Sequence, residues 1–496
     1  MLYDKVRGGF LFCSTYKFPD VNKTNFFGML CCRSCHLIAA RRSSTAQYFD
    51  VVVVGGGMVG NAMACVIGQN PEMSSKRVLL LDSGKAVTLA KKPPEYYSNR
   101  VSTVGPASVD LFKKLGIWER LLSYRTKKVN KFRIIDSCSR AELEFSQSAQ
   151  GREIAYILEN NAVVGALNDR IKESCSSVEI KNDVVVKNCT FPTNLLDLAV
   201  VELETGEKIE TSLVVRINIS LFNSFILHIF YLIGADGIRS MVRKSLCANY
   251  TAFDYDQCGV VATLVVEGCG VNDVAWQRFF RAGPIAYLPL TDKLSSLVWS
   301  TSTDEAQRLL ALSKDQFVDK LNRCMFSDED QIDCVNKTLF AFSKMPLIGK
   351  SSGPVLQPPY VVSLQEDTRA AFPLGFAHSH AYVGVRCALI GDAAHRIHPL
   401  AGQGVNLGWH DVALLDRVLS RAVSHGADLG ALTYLREYDT QAQRHNVPVM
   451  VLCDWLNRLY RTNAAPIVML RSLGLSAFDR LTIVKDFLVN KLSTLP

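Results

Sequence analysis

YFDVVVVGGGMVG, Tyr48 to Gly60, decides the fold. Val51 to Val54 are four consecutive β-branched residues, the run that forms a parallel strand buried on both faces. It ends in G-x-G-x-x-G at Gly55, Gly57 and Gly60. Met58 to Gln69 then reads as a helix with small residues, and Arg77 to Leu81 as the next strand, closed by Asp82. Gly55 suits the tight turn, Gly57 the close approach of a pyrophosphate, Gly60 the packing of helix on strand, and Asp82 the ribose hydroxyls. The unit specifies dinucleotide binding without separating NAD from FAD.

The chain has 496 residues, 48% hydrophobic and 21% charged, enough for two domains and a large core. Its formal charge of +8 is concentrated at one end. Residues 1–46 carry seven Lys/Arg against Asp4 and Asp20, a net +5 that leaves only +3 for the body. That balance excludes a nucleic-acid partner. The N-terminal segment has no Glu, several Ser and an Arg41-Arg42-Ser43-Ser44 end, the composition of a mitochondrial transit peptide rather than a secretory signal. Fifteen cysteines without repeating spacing read as reduced thiols. Cys32-x-x-Cys35-His36 matches a c-type haem attachment pattern but falls inside the transit-like segment. No metal site is expected.

Beyond Asp82, Ser98-Asn99-Arg100 places an arginine where it would reach a phosphate or a flavin edge. From Lys131 to about Thr211 alternating stretches predict a largely antiparallel substrate domain, with a helix near Asn161 to Glu173. Ile217 to Ala235 contains no charge over 19 positions, the length of a membrane span, but carries two Asn, two Ser and a His. Removing residues 216–231 joins TSLVV to LIGADG, an ordinary strand and turn. The stretch therefore reads as a local insertion, for which an intron carried unspliced into the predicted transcript is one source. In GADGIRSMVR, Gly234 to Arg243, Asp236 suits either a ribose contact or the ordering of the turn. Trp276 to Phe279 and Gly283 to Leu290 suit an apolar pocket wall or an ordinary core.

ALIGDAAHRIHPLAGQGVNLGWHD, Ala388 to Asp411, combines a strand end, two histidines and a glycine-rich helix start. Backbone N–H groups and the positive dipole end at such a start favour an anion or a polarised carbonyl. His395 and His398 are candidates for acid–base work because imidazole titrates near neutrality, although a histidine that caps or packs the loop is the more ordinary reading for each. Tyr434 to Arg461 reads as a helix, and Pro466 to Leu492 as a surface helix able to touch a membrane.

GGGMVG, GADGIRSMVR and GDAAHRIHPLAGQGVN, in this order and spacing, resemble the class A flavoprotein aromatic hydroxylases over roughly residues 47–470. The resemblance implies FAD, with its ADP part on the first motif, its ribityl chain at Gly391 and Asp392, and its pyrimidine edge facing Pro399, Gly402, Gln403, Gly404, Val405 and Asn406. The implied fold is an α/β Rossmann-like FAD-binding domain interleaved with a mixed or antiparallel-sheet substrate domain, followed by C-terminal helices. Its parts divide as 1–46 transit segment, 47–130, 212–258 and 381–425 FAD-binding, 131–211 and 259–380 substrate domain, and 426–496 C-terminal helices.

YSNRVSTVGPAS, AWQRF, GPIAYLPL, SSLVWST and Gln443 to Asn446 resemble the mitochondrial ubiquinone-biosynthesis branch of that family. That branch implies hydroxylation at C5 of a polyprenyl-hydroxybenzoate ring by a flavin C4a-hydroperoxide formed with O2. Its implied electron donor is a ferredoxin with its reductase, where other relatives use NAD(P)H directly. It also implies a ubiquinone-biosynthesis complex and peripheral contact with the matrix face of the inner membrane. Another flavin oxidoreductase, or a non-catalytic flavin-fold subunit of a complex, stays open on the residues alone.

Overall fold

A computed structural model describes residues 47–146, 154–191, 199–211, 215–217, 225–227, 231–268, 270–344, 357–481 and 485. The transit-like segment 1–46 and most of 216–230 lie outside the described residues.

Five parallel strands carry the first layer: β1 (Val51–Val54), β2 (Val78–Leu81), β3 (Val178–Lys181), β4 (Tyr231–Gly234) and β5 (Cys387–Leu389). They lie in the order β5, β4, β1, β2, β3, with Val383–Gly384 antiparallel at the β5 edge. Register follows the apolar runs, Val51 opposite Val78 on one side and Tyr231 on the other. β1, β2 and β4 are wholly buried, which is why their sequences are unbroken hydrophobic runs rather than alternating ones. Helix α1 (Met58–Gln69) packs on this sheet through Ala62, Met63, Cys65 and Val66.

The second layer is a nine-stranded sheet, antiparallel except where Lys131–Asp136 runs parallel to Val274–Phe280. Val260, Ala262, Leu264, Trp276, Tyr287 and Leu297 alternate onto one face and meet Phe317 and Leu321 of the helix Lys314–Phe326. Three later helices complete the fold: α2 (Gly404–Ser424), α3 (Leu432–Tyr460) and α4 (Ala465–Arg480). The expected architecture, a Rossmann-like layer interleaved with a mixed-sheet domain and C-terminal helices, is the one observed.

One boundary differs. Of the 131–211 stretch, only Lys131–Asp136 and Glu142–Ser146 join the large sheet. The helix Asn160–Ser174 buries Ala162, Val163, Ala166 and Leu167 in the core around the parallel sheet, and β3 extends that sheet beyond β2. Val186–Thr190, Ala199–Leu203 and Lys208–Thr211 form a small sheet whose Val186, Cys189, Val201 and Ile209 enter the same core. Alternation identifies a strand but not the sheet it joins.

Tyr231, the last residue of the stretch read as an insertion, opens β4 and is fully buried. Its hydroxyl has no hydrogen-bond partner among the described residues. Tyr231→Phe removes an unsatisfied buried oxygen and is expected to stabilise the fold by about 1 kcal/mol. A thermal melt checks this, and a lower melting temperature would show that the hydroxyl is satisfied.

Candidate functional site

The parallel strands end side by side, and their carboxyl edge is where an open α/β sheet binds ligands. Gly55 N–H bonds Leu81 O at 2.8 Å, Ala235 N–H bonds Val54 O at 2.8 Å, and Ile390 N–H bonds Gly234 O at 3.0 Å. The three sequence motifs thus meet at one crevice. Gly55 has φ +105°, and a Cβ on it would lie 2.3 Å from Ala235 O, so only glycine lets the first and second motifs touch. Gly60 is closed in the same way, a Cβ falling 1.8 Å from Gly55 O. A Cβ on Gly408 of α2 would lie 2.7 Å from Val59 of α1 and 3.5 Å from Gly391 Cα, so the absence of a side chain there brings the third motif onto the first.

Around the crevice the surfaces are open where a cofactor needs them. A Cβ on Gly57, the N-cap of α1, would meet nothing within 4 Å. Asp82, at the end of β2, is half-exposed. Asp392 is solvent-accessible yet hemmed in by protein, as a side chain lining a cleft is, and it has no hydrogen bond among the described residues. Burial raises its carboxyl above the usual range, against the pull of His395 and Arg396. α2 begins at Gly404 with no side-chain cap and no acidic residue in its first turn, so no side chain among the described residues matches its first N–H groups. These features fit FAD: a bare helix start for phosphates, carboxylates for hydroxyls, and backbone donors for a carbonyl edge.

Other expected site residues are engaged elsewhere. Asp236 orders its turn: Oδ1 accepts Ser240 Oγ at 2.6 Å, and Oδ2 accepts the N–H groups of Met241 and Val242 at 2.7 and 3.2 Å. The Asn406 side chain donates to Thr103 O (2.9 Å) and Gly402 O (3.1 Å) and accepts from Gly105 N–H and Ser108 Oγ, which leaves its backbone N–H for a ligand. Gly402, at φ +62°, has Thr103 2.9 Å from where its Cβ would stand. Arg100 is exposed just before the strand Val101–Val104 that makes these contacts. Pro399 caps the short turn Leu400–Gly402, Gln403 is the N-cap of α2, and Val405 packs against the core.

The two histidines differ in kind. His395 is buried and its Nε2 bonds Asp411 Oδ2 at 2.7 Å. Burial alone would lower its pKa, but the Asp411 carboxylate outweighs that and raises it. His398 is fully buried with neither ring nitrogen bonded among the described residues, and burial, helped by Arg461, pushes it down to about 4. It is therefore neutral at physiological pH, its ring edge-on to Tyr255 at 5.3 Å. Beside it runs an apolar cluster of Phe279, Ile397, Leu400, Met450 and Tyr460, with Phe279 and Tyr460 stacked at 4.1 Å. Asp411 and Asn446 stand inside quoted stretches, and Tyr460 inside a helical one, but nothing in the sequence gives any of the three a role. A separate groove of about 540 Å³ beside Lys114 and Asp416 contains none of the motif residues.

A two-layer fold with three glycine-bearing turns around one crevice defines an FAD-binding enzyme. Residues 48–341 and 369–447 match the FAD binding domain family. The chain belongs to that family and, within it, to the mitochondrial ubiquinone-biosynthesis monooxygenases. It is 50% identical over 463 residues to the Caenorhabditis elegans ubiquinone biosynthesis monooxygenase COQ6, mitochondrial, covering 92% of this chain and 98% of the relative. The Homo sapiens protein of the same name is 38% identical over 462 residues, covering 91% and 94%. Among solved structures, PqsL, a probable FAD-dependent monooxygenase from Pseudomonas aeruginosa, superposes with TM-score 0.62 at 18% identity over 86% of this chain and 99% of that one. The Pseudomonas putida p-nitrophenol 4-monooxygenase PnpA gives 0.62 at 16% over 91% and 100%. At such identities these two bear on the fold alone.

Proposed function

We propose that this monooxygenase hydroxylates C5 of a polyprenyl-hydroxybenzoate ring. The observation that carries the reading is the apolar cluster of Phe279, Ile397, Leu400 and Tyr460 directly beside the cofactor turn, with uncharged His398 among its neighbours. A prenylated phenol needs an apolar wall for its ring and one polar contact for its hydroxyl. His398 supplies that contact as a neutral hydrogen-bonding group. His395, held by Asp411, supports the turn and is not a free base.

The Gly57 N–H region takes the pyrophosphate, with Arg100 within reach of a phosphate or the ring edge. Asp82 takes the ribose, and Gly391 with Asp392 the ribityl chain. The backbone from Pro399 through Asn406 faces the pyrimidine edge. FAD, when bound, would activate O2 so that one oxygen atom passes to the ring and the other leaves as water, with two electrons from the reductant and two protons. The chain excludes water, holds the ring and stabilises negative charge at the pyrimidine edge through the α2 N–H groups. Electrons arrive from a ferredoxin with its reductase or from NAD(P)H, and reduction of bound FAD by each in rapid mixing distinguishes the two. The test of the substrate is loss of the protein followed by mass spectrometry of the accumulated prenylated ring. A ring without the C5 hydroxyl is expected, and accumulation of a C5-hydroxylated ring would overturn the assignment.

We also place the enzyme at the matrix face of the inner membrane, within a ubiquinone-biosynthesis complex. No helix among the described residues is long and apolar enough to cross a membrane. Support for peripheral contact comes from Val451, Leu452, Trp455 and Leu459 on one face of α3 and Ile467 and Leu470 on α4, with Trp455 71% and Leu470 74% exposed. Exposed Arg458 and Arg461 flank them. An apolar face with a tryptophan and cationic neighbours suits an anionic bilayer surface. Trp455→Glu combined with Leu470→Glu is expected to weaken sedimentation with phosphatidylcholine vesicles containing an anionic phospholipid by about 10-fold or more. Unchanged sedimentation would remove this surface from the account.

A further inference from the structure

Asp411 has no exposed surface, and its carboxylate gathers three donors, two from the Gly391–His395 turn and one from α3. Oδ2 accepts Gly391 N–H at 2.9 Å and His395 Nε2 at 2.7 Å, while Oδ1 accepts Asn446 Nδ2 at 2.9 Å. We propose that Asp411 is a positioning residue for FAD: it fixes the Gly391 to His395 turn from behind and so aims Asp392 into the crevice.

Gly391 stands at φ +57°, and a glycine backbone does not select that conformation unaided. The bond from its N–H to Asp411, with Ala394 N–H closing on Gly391 O at 2.9 Å, selects it. Gly408 and Asp411 lie three residues apart on one face of α2. Gly408 brings that face close to Val59 and to Gly391 Cα, at 2.7 and 3.5 Å from where its Cβ would stand, so the turn is held by packing on one side and by the carboxylate on the other. Asn446 in turn fixes the carboxylate from α3, its own Oδ1 lying 3.1 Å from His445 Nδ1. A buried carboxylate is a costly way to fill space, since an apolar residue of similar volume packs without desolvating a charge. What it adds is geometry: one group that accepts from both ends of a five-residue turn. The inference does not depend on which ring is hydroxylated.

Asp411→Asn tests it in the full chain. The substituted amide can accept at only one atom, so either the Gly391–His395 pair or the Asn446 bond is mismatched. FAD affinity of the apoprotein is expected to fall about 10-fold or more, with altered visible circular dichroism of bound flavin. Adding Asn446→Asp restores a complementary set, because the new amide donates to the new carboxylate while its oxygen faces Gly391 and His395. That pair of substitutions is expected to recover most of the affinity. Wild-type affinity and dichroism in Asp411→Asn would overturn the proposal, as would a double variant no better than the single one. So would a loss of affinity accompanied by an apoprotein melting temperature lower by more than about 10 °C, which reports a damaged fold rather than a misaimed turn.

Discussion

Gly57→Val protein melts as the wild-type apoprotein does and purifies without yellow colour. The space above Gly57 is open, with no protein atom within 4 Å of where a Cβ would stand, so the fold has nothing to lose there. The same space is where a pyrophosphate must approach the start of α1, and a valine side chain fills it. FAD affinity is expected to drop at least about 100-fold, equivalent to about 3 kcal/mol. The contrast is Gly55→Ala, which meets Ala235 O at 2.3 Å from a left-handed backbone and damages the fold as well as the site. Fluorescence titration of FAD into each apoprotein, paired with its thermal melt, separates the two. A Gly57→Val protein that binds FAD normally would move the pyrophosphate elsewhere.

Arg471→Met unfolds the enzyme at a markedly lower temperature. Arg471 of α4 is buried against Asp136 of the large sheet through two bonds, Nε to Oδ2 at 2.8 Å and Nη2 to Oδ1 at 3.0 Å. Its remaining nitrogen donates to Leu459 O and Thr462 O at the end of α3, and its guanidinium lies 4.7 Å from the Tyr460 ring centre. Removing it strands the Asp136 charge in the interior, which destabilises by about 3–5 kcal/mol, or roughly 3–5 °C in melting temperature for a chain of this size. Tyr460 stacks on Phe279, so the substrate wall loosens with it. Replacing Asp136 by Leu in the same protein is expected to recover much of the stability, since no buried charge is then left unpaired. Equal melting temperatures for wild type and Arg471→Met would show that the pair contributes nothing.

The site was legible in the sequence where glycine spacing and apolar runs are the signal. Gly55, Gly57, Gly60, Asp82, Gly391, Asp392 and Gly402 to Gly404 all fall at the carboxyl edge of the parallel sheet or at the loop and helix start beside it, because a turn that must pass close to a ligand has few residues to choose from. The supports were not legible. Asp411 is one acid on a helix, and its partners Gly391, His395 and Asn446 reach it from other segments, so no local pattern announces the cluster. The Asp136–Arg471 pair spans 335 positions of chain and is equally silent. Asn406 and Asp236 lie beside the crevice with their side chains committed to hydrogen bonds within the protein, which for Asp236 is the turn-ordering alternative of its sequence reading, since a motif gives proximity but not which way a side chain is committed. The alternating strands of 186–211 showed their pleat and not their sheet.

On the proposed function, an oxygen atom passes from O2 to a prenylated phenol in this crevice. This transfer is tested most directly by turnover of the FAD-bound enzyme with a prenylated hydroxybenzoate and a reductant under ¹⁸O2, read by mass spectrometry of the ring. One heavy oxygen is expected in the product hydroxyl. A hydroxyl oxygen drawn from water, or a flavin that is reduced and reoxidised with the ring unchanged, would contradict it.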